Sequence, residues 1–221
     1  MTDVAIVMDP VPSLNPKKDS TLAMIEAAQR RDWRCFAIEQ GDVMLREGEV
    51  VARARPVSID LARDPFWTLG DAEHRALADF DVVLMRKDPP FDMEYVYSTY
   101  LLERAETAGA FVLNRPQSLR DCNEKFFATA FPEFGPPLIV TRRADELRAF
   151  AAEHRDVIMK PLDGMGGASI FRVTPGDANL SVIIETLTEH GSRQIMAQRY
   201  IPEIVEGDKR ILVVDGEPVP F

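Results

Sequence analysis

Three glycines fall within four residues of the segment Lys160–Phe171, KPLDGMGGASIF, and a lysine precedes them. Glycines let backbone N–H groups approach an anion closely because they have no Cβ. The order differs from that of the P-loop, in which the lysine follows the last glycine. The segment could bind nucleotide phosphates, with Lys160 at the end of a strand and Gly164, Gly166 and Gly167 in the loop. A hairpin tip that needs glycines only for its turn is the alternative.

Basic and polar residues also follow the predicted strands of the N-terminal half. Ligands of open α/β sheets bind beyond the carboxyl ends of the strands. The segments at those ends are MDPVPSLNPKKDS after the first strand, RKDPPFD after Met85 and NRPQS after Leu113. The planar guanidinium of Arg86 suits a substrate carboxylate. A surface ion pair between Arg86 and Asp88 is an equally good interpretation.

Three further segments contain candidate residues, each with an ordinary structural alternative. Lys125 in RDCNEKFF lies on a predicted helix amid apolar residues, where a solvated lysine is the better interpretation. MAQRYIPE, residues 196–203, predicts a strand that runs into an extended segment. Its N–H and C=O groups could meet an adenine edge, or the strand could simply end there. Asp208 and Arg210 follow in EGDKRILVV, which also suits an exposed charged turn.

The composition argues against several classes of function. The 221 residues carry a formal net charge of −10, whereas binding to nucleic acid phosphates needs a basic face. Two cysteines give no disulfide framework and no cysteine metal site, and the three histidines are scattered. No segment has the pattern of a signal peptide or a membrane helix. We therefore expect a cytoplasmic protein without nucleic acid or membrane partners.

The sequence has no motif for a side-chain nucleophile or a catalytic zinc. Gly-x-Ser-x-Gly and His-Glu-x-x-His are absent, and no Gly-x-Gly-x-x-Gly follows the first strand. Any chemistry is therefore expected to be stabilisation of charge during phosphoryl transfer. A nicotinamide dehydrogenase is disfavoured.

The elements of the N-terminal half predict a mainly parallel sheet with helices on its faces. Buried strands are predicted at VAIVM, RCFAIE, DVVLM and AFVLN, and a hairpin at VMLREGEVVARA. Amphipathic helices are predicted at TLAMIEAAQRRD, with Ser20 as the N-cap, and at MEYVYSTYLLERAETAG, which Gly109 ends.

From Pro137 onwards, the order of elements changes. Strands are predicted at PLIVT, DVIMK, ASIFRV and QIMAQRY, and helices at ADELRAFAAEH and NLSVIIETLTEH. Only a few residues join the two strands beside the glycines, which forces an antiparallel pair. The glycine loop is therefore predicted to be a hairpin tip. The P-loop and the Rossmann turn differ, because both need a helix N-terminus after the glycines.

The chain ends in KRILVVDGEPVPF, which predicts a strand, an Asp-Gly turn and the start of a returning strand. Because a domain rarely ends inside a hairpin, we expect the sequence to be part of a longer chain. The incomplete hairpin is also expected to expose apolar surface and to lower stability.

Long blocks of the sequence resemble the bacterial glutathione synthase family of the ATP-grasp superfamily. They are IVMDP, LMRKDPPFD, NRPQSLRDCNEK, KPLDGMGGASIFRV, ETLTEHG, MAQRYIP and GDKRILVVDGEPVP. The resemblance implies an α/β ATP-grasp fold with a Rossmann-like, parallel-sheet substrate domain at 1–122. An antiparallel-sheet ATP-binding lid subdomain would follow at 123–202, and an incomplete C-terminal subdomain would start at 203–221.

The resemblance also implies a reaction in which ATP, γ-glutamylcysteine and glycine give glutathione, ADP and phosphate through an acyl phosphate. By position, Lys125 and Lys160 would contact the ATP phosphates beneath a mobile loop formed by the three glycines. Lys160 would also be a catalytic residue. Gln198, Tyr200 and Ile201 would meet the adenine.

The remaining implied roles concern the ribose, the transferring group and the substrate. Asp208 would bind the ribose. Arg210 would be the second catalytic residue, stabilising the transferring phosphoryl group or the acyl phosphate. Arg86 would hold a substrate carboxylate, and Ser13 and Lys18 would border the same pocket.

ATP and Mg²⁺, or Mn²⁺ in its place, are the implied cofactors, and a homo-oligomer is the implied assembly. The resemblance places the metal ligands beyond Phe221, so our hypothesis is that these 221 residues alone do not catalyse. Two alternatives stay open. One is a nucleotide-binding module without turnover, and the other is a related ATP-grasp peptide ligase with another acceptor.

Overall fold

The computed structural model describes residues 1–87, 90–164 and 166–220. The chain divides into two compact units. The first unit is Met1–Phe127 with a short stretch that begins at Asp163, and the second is Ala128–Leu162 with the remainder from Gly166. No helix among the described residues is long and apolar enough to cross a membrane.

Among its described residues, the first unit contains an eight-stranded sheet with three α-helices. The strands are β1 (Asp3–Met8), β2 (Arg34–Glu39), β3 (Val43–Arg46), β4 (Glu49–Ile59), β5 (Trp67–Leu69), β6 (Glu73–Ala76), β7 (Val82–Met85) and β8 (Val112–Leu113). The helices are α1 (Ser20–Gln29), α2 (Met93–Thr107) and α3 (Pro116–Asp121).

The centre of this sheet is parallel, as the alternation of strands and helices predicts. β1 pairs in parallel with β2 and with β7, and β7 pairs in parallel with β8. All six residues of β1 are buried, because apolar clusters cover both faces of the sheet. Because β1 and β7 are parallel neighbours, their carboxyl ends lie side by side, and the residues that follow them share one edge of the sheet.

The N-terminal half also contains elements that the pattern did not predict. The predicted hairpin exists, but β4 continues to Ile59, and β5 and β6 pair with it in antiparallel fashion. The prediction of Ser20 as the N-cap of α1 is wrong. Asp19 is the cap, because its carboxylate accepts from the backbone N–H groups of Thr21 at 2.7 Å and Leu22 at 3.3 Å.

In the part of the second unit that the structure describes, four strands form an antiparallel sheet in the order β11-β10-β12-β9. Helices α4 and α5 pack on one face, where Leu147, Phe150 and Ile184 meet Met159 and Ile195 in a buried core. The elements are β9 (Leu138–Thr141), α4 (Ala144–His154), β10 (Val157–Pro161), β11 (Phe171–Val173), α5 (Leu180–Leu187) and β12 (Ile195–Arg199).

A short hairpin follows this sheet in the chain. β13 (Val213–Val214) and β14 (Glu217–Pro218) pair in antiparallel fashion across Asp215 and Gly216, which have φ angles of 52° and 80°. This confirms the predicted Asp-Gly turn. Apolar side chains here are exposed, including Leu212 at 62%, which agrees with the expected exposure of apolar surface.

Candidate nucleotide-binding and substrate-binding sites

The glycine-rich segment is the tip of the β10–β11 hairpin, as predicted from its short connection. The two strands pair in antiparallel register from Val157 opposite Val173 to Met159 opposite Phe171. The three glycines, Gly164, Gly166 and Gly167, have φ angles of +89°, +68° and +77°. A Cβ at these positions would meet nothing within 4 Å. Glycine is therefore needed for backbone conformation and not for space.

Lys160 lies on the face of the antiparallel sheet opposite the two helices. Val157 and Met159 point into the helix-covered core, so strand alternation directs Ile158 and Lys160 to the other face. Lys160 lies opposite Met196 on β12, and Ile158 lies opposite Gln198. Gln198 is thus on the same face as Lys160 and is its diagonal neighbour, at about 7–8 Å between Cα atoms.

The end of β12 lies farther along the same face. Tyr200, two residues beyond Gln198, is about 13–14 Å from the position opposite Lys160 at the usual rise per residue. Tyr200 is half-buried, and Ile201 is 42% exposed. An extended nucleoside triphosphate can span this distance, with its base at the strand exit and its phosphates at Lys160.

Two residues that the sequence did not indicate hold Tyr200. The centre of the Arg172 guanidinium lies 3.7 Å from the centroid of the Tyr200 ring. Asp156 accepts from Arg172 through both carboxylate oxygens, at 2.9 and 2.7 Å. The hydrogen bonds from Arg172 lower the pKa of Asp156, and the pKa of the guanidinium is raised.

In the first unit, Arg86 leaves β7 and meets the start of α1. Its Nη2 donates to Ser20 Oγ at 2.9 Å, and its Nε donates to Thr21 Oγ1 at 3.4 Å. The backbone N–H groups of Arg86 and Lys87 donate to the carbonyl oxygen of Val7 in β1, at 2.7 and 2.8 Å. The guanidinium is therefore anchored to the edge where ligands bind in such sheets. The alternative partner Asp88 lies outside the described residues.

The other predicted substrate residues lie in the segment between β1 and α1. Ser13 ends a short 3-10 helix and donates its hydroxyl to the carbonyl oxygen of Pro10 at 2.7 Å. Lys18 is exposed, two residues before the Arg86 partner Ser20. Lys87 Nζ lies 2.9 Å from Asp9 Oδ1 and adds an ion pair to this edge that the sequence pattern did not predict.

Lys125 is not on a helix, so that prediction is wrong. α3 ends at Asp121, and the side chain of Asn123 accepts from the backbone N–H groups of Lys125 and Phe126 at 3.2 and 3.1 Å. This local bond stabilises a turn in place of a helix. Lys125 Nζ donates to the carbonyl oxygen of Gly164 at 2.6 Å and to Glu124 at 2.8 Å. The lysine thus reaches the backbone of the glycine-rich segment.

Asp208 and Arg210 lie in the exposed segment between the 3-10 helix Pro202–Glu206 and the C-terminal hairpin. No group of three or more His, Cys, Asp and Glu side chains suited to a metal ion occurs in the part of the chain that the structure describes. Cys35 is buried, and burial raises the pKa of its thiol to about 11, so this thiol is a poor nucleophile.

Comparison with solved structures identifies the class of fold. A D-cycloserine synthetase superposes with a TM-score of 0.60 at 15% identity, covering 91% of this chain and 60% of its own. A RimK-domain ATP-grasp protein from Sphaerobacter thermophilus gives 0.57 at 20% identity, covering 91% and 65%. The protein therefore has an ATP-grasp fold.

Sequence comparison identifies the family. The model for the N-terminal domain of prokaryotic glutathione synthetase matches residues 2–120, and the model for its ATP-grasp domain matches residues 124–221. The glutathione synthetase of Pseudomonas aeruginosa is 62% identical over 99% of this chain and 69% of its own length. The chain belongs to the prokaryotic glutathione synthetase family. This confirms the resemblance and supports ATP-dependent glutathione synthesis.

Proposed function

We propose that the protein is an ATP-dependent ligase that joins γ-glutamylcysteine to glycine and releases ADP and phosphate. The observation that carries the proposal is the arrangement of residues on the face of the antiparallel sheet opposite the two helices. Lys160 and Gln198 share that face, a hairpin tip of positive-φ glycines follows Lys160, and the chain is a member of the family. These features suit a bound triphosphate.

The nucleotide is proposed to lie along β10 and β12. Gln198, Tyr200 and Ile201 would meet the adenine at the exit of β12, where the extended backbone can offer alternating N–H and C=O groups. Asp208 would bind the ribose.

The phosphates are proposed to lie near the hairpin tip. Lys160 would neutralise phosphate charge from the strand, and the backbone N–H groups of the glycine-rich tip would surround the phosphate oxygens. Lys125, whose Nζ donates to the carbonyl oxygen of Gly164 at 2.6 Å, is also proposed to contact the phosphates. Arg210 would stabilise the charge on the transferring phosphoryl group.

The proposed reaction needs no nucleophile from the protein. A carboxylate oxygen of γ-glutamylcysteine attacks the γ-phosphorus, and the bond to the β,γ-bridging oxygen breaks to release ADP. The glycine nitrogen then attacks the carbonyl carbon of the acyl phosphate, phosphate leaves, and the amine proton is lost to solvent or phosphate. The protein would orient the reactants and neutralise their negative charge. The raised pKa of Cys35 agrees with this assignment, because the buried thiol is not activated.

The dipeptide is proposed to bind at the edge of the parallel sheet. Arg86 would hold a substrate carboxylate with its planar fork, since Ser20 and Thr21 contact only part of its five-donor guanidinium. Ser13 and Lys18 would border the same pocket.

Mg²⁺ is the proposed metal, with Mn²⁺ as a substitute. The described residues contain no suitable group of ligands, so we assign no residue of this chain to the metal and route no step through it. A cytoplasmic homo-oligomer that acts on small molecules remains our proposal for location and assembly.

A coupled ADP-release assay tests the proposal. The protein at its full length is supplied with ATP, Mg²⁺, γ-glutamylcysteine and glycine, and each component is then omitted in turn. We expect ADP release to require all of them and glutathione to form in equal amount. ADP release that requires a different acceptor would identify a related peptide ligase. Binding of ATP without any turnover would identify a nucleotide-binding module.

A further inference from the structure

The residues at one end of the antiparallel sheet form a closed set of contacts around Tyr200. Asp156 precedes β10, Arg172 lies in β11, and Tyr200 follows β12. The backbone N–H of Tyr200 donates to the carbonyl oxygen of Asp156 at 2.9 Å. The carboxylate of the same aspartate accepts from both Nε and Nη2 of Arg172. The guanidinium centre of Arg172 in turn lies 3.7 Å from the centroid of the Tyr200 ring.

These contacts fix orientation more than they add stability. The side chains of Arg172 and Asp156 are 50% and 36% exposed, and ion pairs that reach solvent contribute little to folding. Their geometry is nevertheless specific. A two-bond fork sets the plane of the guanidinium, and the centre of that guanidinium lies over the aromatic ring. Asp156 thus holds Tyr200 through its main chain and also, by way of Arg172, through its ring.

Tyr200 occupies the position in the sheet where this orientation matters. It follows Gln198 by two residues and lies at the end of the Lys160 face that is farthest from Lys160 along β12. Under the proposed function, on which this inference rests, that end receives the nucleobase. A rotation of the Tyr200 ring or of the backbone at 200–201 would change the base site and leave the phosphate site in place.

We infer that Arg172 and Asp156 are positioning residues, which orient Tyr200 and the backbone after it for recognition of the purine base. They act through Tyr200 and make no contact with the reacting atoms. Their loss should therefore raise the KM for ATP with little change in kcat. It should also reduce the preference for ATP over GTP, because the groups that meet the base edge are no longer fixed.

The test compares Arg172→Met with Arg143→Met. Arg143 also forms an exposed ion pair, with Asp145 at 2.5 Å, but it lies beyond Thr141, which pairs with the opposite end of β12. Steady-state ADP release is measured with ATP and with GTP for the full-length protein and both variants. We expect Arg172→Met to raise the KM for ATP about two- to fivefold, the scale of an exposed guanidinium–aromatic contact. We expect Arg143→Met to match the wild type.

Variants of Tyr200 show whether Arg172 acts through the ring. Tyr200→Ala should raise the KM for ATP as Arg172→Met does. In the double variant, the KM for ATP should rise no more than in the more affected of the two single variants. If the double variant raises the KM for ATP by the product of the two single-variant factors, Arg172 does not act through Tyr200. That result overturns the inference.

The remaining outcomes separate this inference from the proposed function. A wild type that turns over ATP, together with an Arg172→Met variant whose KM for ATP and nucleotide preference are unchanged, overturns the positioning role alone. An Arg172→Met variant whose kcat falls while its KM for ATP stays constant also overturns it. A wild-type protein that neither binds nor consumes ATP overturns the proposed function and the inference with it.

Discussion

The carboxylate of Asp3 at the start of β1 offers a sharp test of how the first unit is held together. Asp3 is only 3% exposed. Nε and Nη2 of Arg34 donate to its two oxygens, each at 2.6 Å, and Nη1 of Arg75 lies 2.7 Å from Oδ2. The guanidinium of Arg75 also lies 4.0 Å from the ring centroid of Phe80. Asp3→Asn removes the negative charge and keeps the size of the side chain.

The structure sets the size of the expected effect. A hydrogen bond to a charged group contributes about 1.5–3 kcal/mol, and this carboxylate accepts from two arginines. The arginines can be partly rehydrated when the charge is lost, because their side chains are 57% and 21% exposed. We therefore expect Asp3→Asn to lower the free energy of unfolding by about 2–3 kcal/mol. Asp60→Asn is the matched control, since Asp60 pairs with Arg63 at the surface and should lose less than about 1 kcal/mol.

Urea unfolding of both variants and the wild type, repeated from pH 7 to pH 3, measures the effect. Burial raises the pKa of Asp3, but the hydrogen bonds and charges of Arg34 and Arg75 outweigh burial, so the pKa lies below its ordinary value of 3.8. The stabilisation from the charged carboxylate is thus fully present above about pH 4 and is lost as the pH falls through the lowered pKa. The difference in stability between the wild type and Asp3→Asn should therefore shrink as the pH falls from about 4 towards 3. A loss no larger than that of Asp60→Asn, or a difference that stays constant down to pH 3, would refute the reasoning.

Three further predictions concern the candidate sites. Lys160→Ala should lower kcat/KM for ATP on the order of 10–100-fold without changing thermal unfolding. Lys160→Arg should lower kcat/KM for ATP by a smaller factor. An equal kcat/KM for ATP in the wild type and both variants would contradict the assigned role. Ser20→Ala removes a partner of Arg86 and should raise the KM for γ-glutamylcysteine several-fold but not the KM for ATP, and a rise in both would indicate a general loss of structure. In a thiol titration of the native protein at pH 8, Cys122 should react quickly and Cys35 only on unfolding; equal rates would disagree with burial of Cys35.

Much of the fold could be predicted because local patterns and tertiary structure agree. α4 spans the segment ADELRAFAAEH as predicted, and β2 spans RCFAIE. The two failures near the sites come from competition between local hydrogen bonds. Asp19 and Ser20 are neighbours that can both cap a helix, and the carboxylate of Asp19 is the one that accepts. The helix predicted around Lys125 is replaced by a turn that the side chain of Asn123 stabilises.

The candidate sites also contain some features that local sequence patterns predict and others that depend on the tertiary structure. Strand alternation is enough to place Lys160 on one face of β10, and a single short connection is enough to identify the glycines as a hairpin tip. The contacts among Asp156, Arg172 and Tyr200 cannot be predicted from local patterns. These residues lie in or next to three different strands, and only the register of the sheet brings them together. The same holds for Arg86 and Ser20, which are 66 residues apart.

The order of lysine and glycines in KPLDGMGGASIF follows from the antiparallel sheet. In a P-loop, the helix after the glycines supplies aligned N–H groups, and its first turn carries the lysine. Here β11 follows the glycines, and a strand has no comparable dipole. Under the proposed function, a positive charge for phosphate comes from the sheet face opposite the helices, and Lys160 near the end of β10 is the position on that face nearest the tip. The glycines can therefore adopt positive φ angles around an anion without having to begin a helix.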